Sequence, residues 1–306
     1  WISNTATVAL LLPVVLNIAG QANEDGRKVA TLFLLGICMS TAFGSMSTII
    51  GSPVNAIAFG LLNKVTPWSF PEWIVVGGCV SLALLGLVYI ALPRVLAARS
   101  NGIDLGPIRN ELENMGPIKK KEAMTLAIFM PAVGLWIGGG WTAQYLGLPP
   151  GALSAAMVSL IAAFLMFATR VIEWDDARRI SWEVFLIIGA GLAIGHALEA
   201  TGAAALFASL LTELVGGQSL LVMMLLIGFI TVGVGTMLSN SATVSIMVPI
   251  VISLSSAIGA DPKYLVLVAA FCASISFITP VGTPPVTLAY STGFFTRREL
   301  ARTGAI

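Results

Sequence analysis

Two polar phrases recur in an otherwise apolar chain. The sequence opens WISNTATVALLLPVV, and 236 positions on it reads SNSATVSIMVPIV. Laying residues 3–16 on 239–252 gives seven identities in fourteen positions, among them Ser3/Ser239, Asn4/Asn240, Thr7/Thr243 and Pro13/Pro249. Thr5/Ser241 keeps a hydroxyl. A second pair follows: Gly51-Ser52-Pro53 begins 48 positions after Ser3, and Gly282-Thr283-Pro284 begins 43 positions after Ser239. The side chains on offer are hydroxyls and amides. They can hold an anion through N–H and O–H groups, or an alkali cation through oxygen.

These residues also say which elements position them. Ser, Asn and Thr cap helix N-termini, and Pro is favoured at the first helical position. All four phrases therefore read as helix starts. The plainer reading is four caps at membrane surfaces. Apolar residues 31–50 precede Gly51 and 265–278 precede Gly282, which favours breaks inside membrane helices. A break in hydrocarbon leaves backbone groups unpaired and needs a reason. Each helix N-terminus carries about +0.5 of a charge, so four facing one region would offer about +2. No Lys or Arg lies inside the apolar runs. A doubly negative substrate could then be held by dipoles, amides and hydroxyls. The carbonyls freed at each break could coordinate sodium together with Ser3, Asn4 or Asn240.

Composition fixes the class. Of 306 residues 57% are hydrophobic and 10% charged, against about 25% charged in a soluble domain, and the mean hydropathy is +0.93. Several apolar runs reach the ~20 residues that cross a bilayer. The net charge of +1 argues against a nucleic-acid partner. Cys38, Cys79 and Cys272 are far apart and read as small buried hydrophobes. The chain starts within an apolar element, without Met, and stops on the approach to another helix, so a fragment cut at both ends is expected.

Positive charge marks the cytoplasmic side. Residues 92–122 hold six Lys or Arg, 170–183 hold three and the tail holds three, whereas 145–151 and 211–219 hold none. Loops 20–28, 92–122, 170–183 and the tail are therefore expected in the cytoplasm. Walking the passes along the chain leaves 219–260 starting and finishing outside, as a hairpin with Ser239-Asn240-Ser241 in its middle. The opening stretch then reads as the returning arm of a matching hairpin. The expected organisation is 1–63 as the end of a first repeat, 64–122 as a helix and basic linker, and 123–306 as a second repeat. The second repeat holds the re-entrant hairpin 219–260 and a broken helix 264–295. Opposed repeats with interrupted helices are the layout of secondary transporters.

At these residues the chain resembles the divalent anion–sodium symporter family, the sodium-coupled dicarboxylate transporters, over nearly its whole length. The resemblance implies an all-α polytopic membrane protein, an inverted-repeat transporter with two re-entrant hairpins and two broken transmembrane helices. It implies Na+ as coupling ion, with Ser3, Asn4 and Gly51 at one site and Asn240, Gly282 and backbone oxygens near Gly235 and Leu238 at the other. Asn4, Thr5, Ser52, Pro53, Asn240, Ser241, Thr283 and Pro284 would face the substrate, a small dicarboxylate anion. It further implies a homodimer in the lipid bilayer of the cell's inner or plasma membrane, and helices before and after this stretch. Two departures bear on selectivity: the second triplet ends in Ser, and Val286 follows the prolines where the family often has Asn, which the first loop keeps as Asn55.

The expected function is sodium-coupled symport of C4 dicarboxylates by alternating access, without enzymatic activity. The rivals are a sodium-independent dicarboxylate or oxoacid exchanger, a tricarboxylate or sulfate carrier, and a cation/proton antiporter. The last should place acidic residues in the membrane core, where only Glu199 and Glu213 come near. An intramembrane serine hydrolase would need a base for its Ser, and His196 is the one histidine. His196 reads as structural or pore-lining. The glycine-rich stretches 187–195 and 136–141 read as close helix packing rather than phosphate loops.

Overall fold

The computed structural model describes residues 2–21, 26–96, 113, 116–149, 151–178, 182–215, 218–275, 277, 279 and 282–304. The middle of the basic stretch 92–122 and residues 22–25 of loop 20–28 lie outside these residues. Among the described residues there are helices and turns and no strand. Among the described residues five helices are long and apolar enough to cross a membrane: Arg27–Ser45, Phe70–Val95, Lys120–Tyr145, Glu183–Ala200 and Asn240–Ile258. The protein is an all-α polytopic membrane protein.

The chain divides into two compact units. One comprises 69–72 and 106–182 and holds α5 (Lys120–Tyr145), α6 (Ala155–Ala168) and the short α7 (Trp174–Arg178). Within it α5 packs on α6. Gly139 permits the approach: a Cβ there would stand 2.6 Å from the Leu153 carbonyl oxygen. Trp136 Nε1 donates to the Ala155 carbonyl at 3.1 Å. Lys121 pairs with Glu173 at 3.2 Å on the surface.

The other unit comprises 1–68, 73–105 and 183–306. It begins with α1 (Asn4–Gln21), α2 (Gly26–Ser45), a 3-10 turn (Ile49–Gly51), α3 (Pro53–Leu62) and α4 (Phe70–Val95). It resumes with α8 (Glu183–Ala200), α9 (Ala203–Val215), α10 (Leu220–Gly235) and α11 (Asn240–Ile258). It ends with α12 (Pro262–Ser274), α13 (Pro284–Ser291) and α14 (Arg297–Gly304). The starts are written locally. Ser219 and Ser239 cap α10 and α11 with their hydroxyls, Asp261 caps α12, and Pro stands at the first turn of α3, α12 and α13. Gly259 ends α11 with φ 70°, a left-handed cap.

The two polar phrases begin two copies of one arrangement. α1 packs on α2 as α11 packs on α12. Each first helix also lies against the last helix of the other copy, α1 on α13 and α11 on α3. The remaining cross pair repeats too, α2 on α13 and α12 on α3. Burial follows the same register. With Gly51 laid on Gly282, the buried Leu34, Leu35, Cys38, Met39 and Ala42 of α2 fall on the buried Leu265, Val266, Ala269, Ala270 and Ala273 of α12. With Ser3 on Ser239, buried Val8, Val15 and Ile18 fall on buried Val244, Val251 and Leu254.

The core of this unit gathers around α11, most of which is buried. α8 reaches it through Gly191, which lies against Ser245 and Ile57, and Gly195, which lies against Leu61 and Pro249. A Cβ at either would crowd α3 and α11. His196, one residue on, is exposed. Cys38 is buried as expected, Cys272 is half-buried, and Cys79 is exposed.

Candidate functional site

The two triplets fold alike down to single hydrogen bonds. Thr7 donates to the Ser3 carbonyl from its N–H at 2.9 Å and from Oγ1 at 3.0 Å. Thr243 donates to the Ser239 carbonyl from the same two atoms at the same two distances. The sequence match at Thr7/Thr243 thus reports the double bond that closes the first turn. Asn4 Oδ1 accepts from Thr5 N at 2.8 Å, and both residues are half-buried. Ser3 is exposed. Asn240 is buried, Ser241 half-buried, and the Ser241 carbonyl accepts from Ser245 Oγ at 2.6 Å.

Both Gly-hydroxyl-Pro phrases interrupt a helix. Between α2 and α3 the chain makes the 3-10 turn ending at Gly51, and a Cβ on Gly51 would run into the Ser45 carbonyl oxygen. Ser52 has extended backbone and caps α3, its Oγ accepting from Val54 N at 3.1 Å, with Pro53 at the first helical position. Between α12 and α13, Thr283 is likewise extended and Pro284 is first in the helix. Thr283, however, makes no side-chain cap bond.

The carbonyls that the end of α2 leaves over are collected one by one. Ala42 O accepts from Ser45 Oγ and Gly44 O from Ser47 Oγ, both at 2.7 Å. Phe43 O accepts from Ser81 Oγ at 2.7 Å, and Met46 O from Trp73 Nε1 at 3.0 Å. Ser45 O and Thr48 O each accept from Asn55 Nδ2 at 2.8 Å. Trp73, Gly77 and Ser81 share one face of α4, and Gly77 lets that face meet the Met46 carbonyl. The sequence reading gave none of Trp73, Ser81 and Asn55 a part in this. The visible signal was a Trp, a Gly and a Ser spaced four apart at the start of an apolar helix.

The second break is tied to the second triplet. Asn240 N donates to the Gly282 carbonyl at 3.3 Å, and Thr279 Oγ1 to the Thr236 carbonyl at 3.4 Å. The two breaks also touch: Phe43, near the end of α2, meets Phe277 edge to face at 5.6 Å. Cys38 Sγ lies 3.5 Å from the Pro285 carbonyl oxygen. The structure therefore brings Asn240, Gly282 and the neighbourhood of Gly51 into one network. Gly235, the last residue of α10, is buried, and Leu238 is exposed in the turn between α10 and α11. Among the described residues no hydrogen bond joins Ser3, Asn4 or Thr5 to Gly51 or Ser52. The first triplet meets the network through the packing of α1 on α2 and α13.

Four buried side-chain atoms among the described residues have no hydrogen-bond partner: Thr48 Oγ1, Asn55 Oδ1, Asn240 Oδ1 and Thr283 Oγ1. All four belong to the breaks or the second triplet. An unpaired buried polar group costs about 1–3 kcal/mol, so each of these four has hydrogen-bonding capacity that the protein itself does not use. No cluster of three His, Cys, Asp or Glu suited to a metal occurs among the described residues. The chemistry on offer is neutral oxygen, which suits a hard cation or, through O–H and N–H, a carboxylate.

A separate cavity of about 920 Å³ lies between α1, α2 and α4, lined mainly by apolar residues with Thr7, Ser40, Thr41, Ser45 and Ser47. It includes none of the triplet or break residues proposed to bind substrate. Its Ile37 and Thr41 correspond to Val268 and Cys272, the face of α12 against which Gly228 of α10 packs.

Residues 2–306 match the family described as the sodium:sulfate symporter transmembrane region. The sodium-dependent dicarboxylate transporter SdcS of Staphylococcus saprophyticus is 29% identical over 328 residues, covering 99% of this chain and 63% of that protein. A protein of Haemophilus influenzae described as an uncharacterized transporter is 29% identical, covering 99% of this chain and 66% of its own length. An uncharacterized transporter of Methanocaldococcus jannaschii is also 29% identical, covering all of this chain and 67% of its own length. The chain thus spans about two thirds or less of the length of the first two of these relatives.

Proposed function

Because the chain belongs to the sodium:sulfate symporter family, whose members are transporters and not enzymes, we propose that the full-length protein is a sodium-coupled symporter of C4 dicarboxylates such as succinate, malate or fumarate. The observation that carries this reading is the second break. There Asn240 N holds the Gly282 carbonyl, while Asn240 Oδ1 and Thr283 Oγ1 stay buried and free. A carboxylate can take the Thr283 hydroxyl and the N–H groups of Ser241 at the start of α11 and Val286 at the start of α13, where Pro284 and Pro285 have none to give. A sodium ion can take Asn240 Oδ1 and backbone oxygens near Gly235, Leu238 and Gly282. Ser3, Asn4 and Gly51 would form the first ion site, and Thr5, Ser52, Pro53, Ser241 and Pro284 would complete the substrate walls. The bound cations offset the charge of the dianion, so that ion and substrate bind together.

Alternating access follows from the repeat. Two copies of one arrangement, inverted in the membrane, give two packings of similar energy around a shared site. In this reading the helical pair α10–α11 is a re-entrant hairpin, both breaks lie near the bilayer midplane, and the basic loops and tail face the cytoplasm. The protein works as a homodimer in the inner or plasma membrane. The name of the staphylococcal relative supports the dicarboxylate and the sodium. The family description points to sulfate as the rival anion.

The test is uptake of labelled succinate by the full-length protein in proteoliposomes, with an inward gradient of sodium, lithium or potassium and with or without internal succinate. Sodium-driven uptake into empty vesicles, competed by malate and fumarate more than by sulfate, is the expected result. Exchange that needs internal succinate and ignores sodium would remove symport. Competition by sulfate alone would replace the substrate.

A further inference from the structure

We propose that Asn55 is the positioning residue of the first helix break: its amide fixes the carbonyl-rich turn that carries Gly51, and so sets the cation affinity of the first site. The proposal rests on the reading of Gly51 as a sodium ligand. Asn55 stands in the first turn of α3, just past the break, and is fully buried. Its Nδ2 reaches back across the interruption to Ser45 O and Thr48 O, each at 2.8 Å. Both amide protons are spent on the last turn of α2 and on the turn between the helices. Thr48 O also accepts from Gly51 N at 3.2 Å. One side chain therefore pins the two carbonyls that bracket the segment leading into Gly51. Gly51 itself sits directly on Ser45, where a Cβ would collide with the backbone. Asn55 Oδ1 has no partner within the protein, so truncating the side chain removes these two hydrogen bonds to the chain and no other protein contact of that kind.

The second repeat does this differently. Val286 occupies the position of Asn55 and is equally buried. It has no donor to give. The described bonds that tie that break to other segments run from Thr279 Oγ1 to Thr236 O and from Asn240 N to Gly282 O. The acceptor and donor there belong to the turn between α10 and α11 and to the start of α11. The first break is thus held by Asn55 of α3 and by Trp73 and Ser81 of α4, and the second is held by the triplet. The first cation site is then shaped before any movement of α10–α11, while the second takes shape only when that turn is docked.

The experiment uses the full-length protein in proteoliposomes with Asn55→Ala, Asn55→Asp and Asn55→Ser. Asn55→Ala is expected to raise the half-saturating sodium concentration about tenfold, since two hydrogen bonds that shape the site are lost. Asn55→Asp is expected to raise it further, because it removes the donors and faces two carbonyls with a charge. Asn55→Ser keeps one donor, should fall between, and serves where Ala does not fold. At saturating sodium the KM for dicarboxylate should stay within about twofold, since no substrate contact is removed. A merely structural residue would lower the maximal rate and the melting temperature and leave half-saturation alone; that result overturns the proposal. Wild-type uptake that ignores sodium would sink the parent reading instead. The clamp is then judged by hydrogen exchange: Asn55→Ala should speed exchange in 46–52 at least about tenfold and spare 262–274. Unchanged exchange in 46–52 overturns it.

Discussion

Ser52 and Thr283 hold corresponding places in the two repeats and differ in what their hydroxyls do. Ser52 Oγ accepts from Val54 N and caps α3. Thr283 Oγ1 is buried without a partner. Losing a cap costs about 1 kcal/mol, whereas losing an unpaired buried hydroxyl is neutral or stabilising when the shape is kept. Ser52→Ala should therefore lower the melting temperature by a few degrees. Thr283→Val, which keeps the shape, should leave the melting temperature in place and raise the dicarboxylate KM at least about fivefold, a loss near 1 kcal/mol. Thermal unfolding in detergent and uptake kinetics decide the matter. A destabilised Thr283→Val with unchanged KM would make Thr283 a framework residue. The sequence alone could not separate the pair, because both are hydroxyl residues before a proline; only the capping geometry does.

At the scale of elements, the first break depends on α4 as much as on its own loop. Trp73 Nε1 and Ser81 Oγ satisfy carbonyls at the end of α2, and Gly77 between them sits against the Met46 carbonyl. Trp73 also packs edge to face on Phe59 of α3 and Phe271 of α12. Gly77 and its neighbour Gly78 make a matched pair. A Cβ at 77 meets the backbone of Met46 and Ser47, and one at 78 meets nothing within 4 Å. Gly77→Val should then cost about 2–3 kcal/mol through overpacking, seen as a drop in melting temperature, while Gly78→Val should stay within about 0.5 kcal/mol. Equal effects would mean that α4 does not bear on the break as described. The starts of α1, α3, α11 and α13 were legible in the sequence because a cap or an N-terminal proline acts within one turn. The part played by α4 was not, since Trp73 and Ser81 reach carbonyls 27 and 38 positions away. Polar groups on an apolar helix show that a partner exists and not which one. The α10–α11 pair is a middle case. Its turn falls at the polar phrase as the sequence reading has it, yet α11 is a full 19 residues and long enough to cross a bilayer by itself.

Across the larger unit, the repeat is close in its packing and broken in its fastenings. The start of α2 is fastened to the end of the second repeat: the buried Thr31 Oγ1 and Arg27 Nε lie 2.9 and 3.3 Å from the Phe294 carbonyl oxygen. In the matching register α12 has Pro262 where α2 has Thr31, and a proline has no hydroxyl to offer. This fastening also holds α14 through Glu299. The Glu299 carboxylate accepts from Thr296 N at 2.7 Å and Thr296 Oγ1 at 2.8 Å, and Arg27 stands 4.0 Å away. Partial burial pushes the Glu299 pKa up, but the Thr296 bonds and the Arg27 charge outweigh it, so the value lies below the usual 4.5. A carboxylate with a depressed pKa contributes stability that is full above its unfolded value and lost as pH falls through the folded one. Lowering the pH from about 5 to about 3 should therefore loosen residues 296–304, read as faster hydrogen exchange after correction for the intrinsic pH effect. Glu299→Gln should already be loosened at pH 6 and show little further change on acidification. Protection of 296–304 in the wild type that stays flat down to pH 3 would mean that the helix is held by the packing of Leu300 and Thr303, both buried, and that the carboxylate only decorates its start.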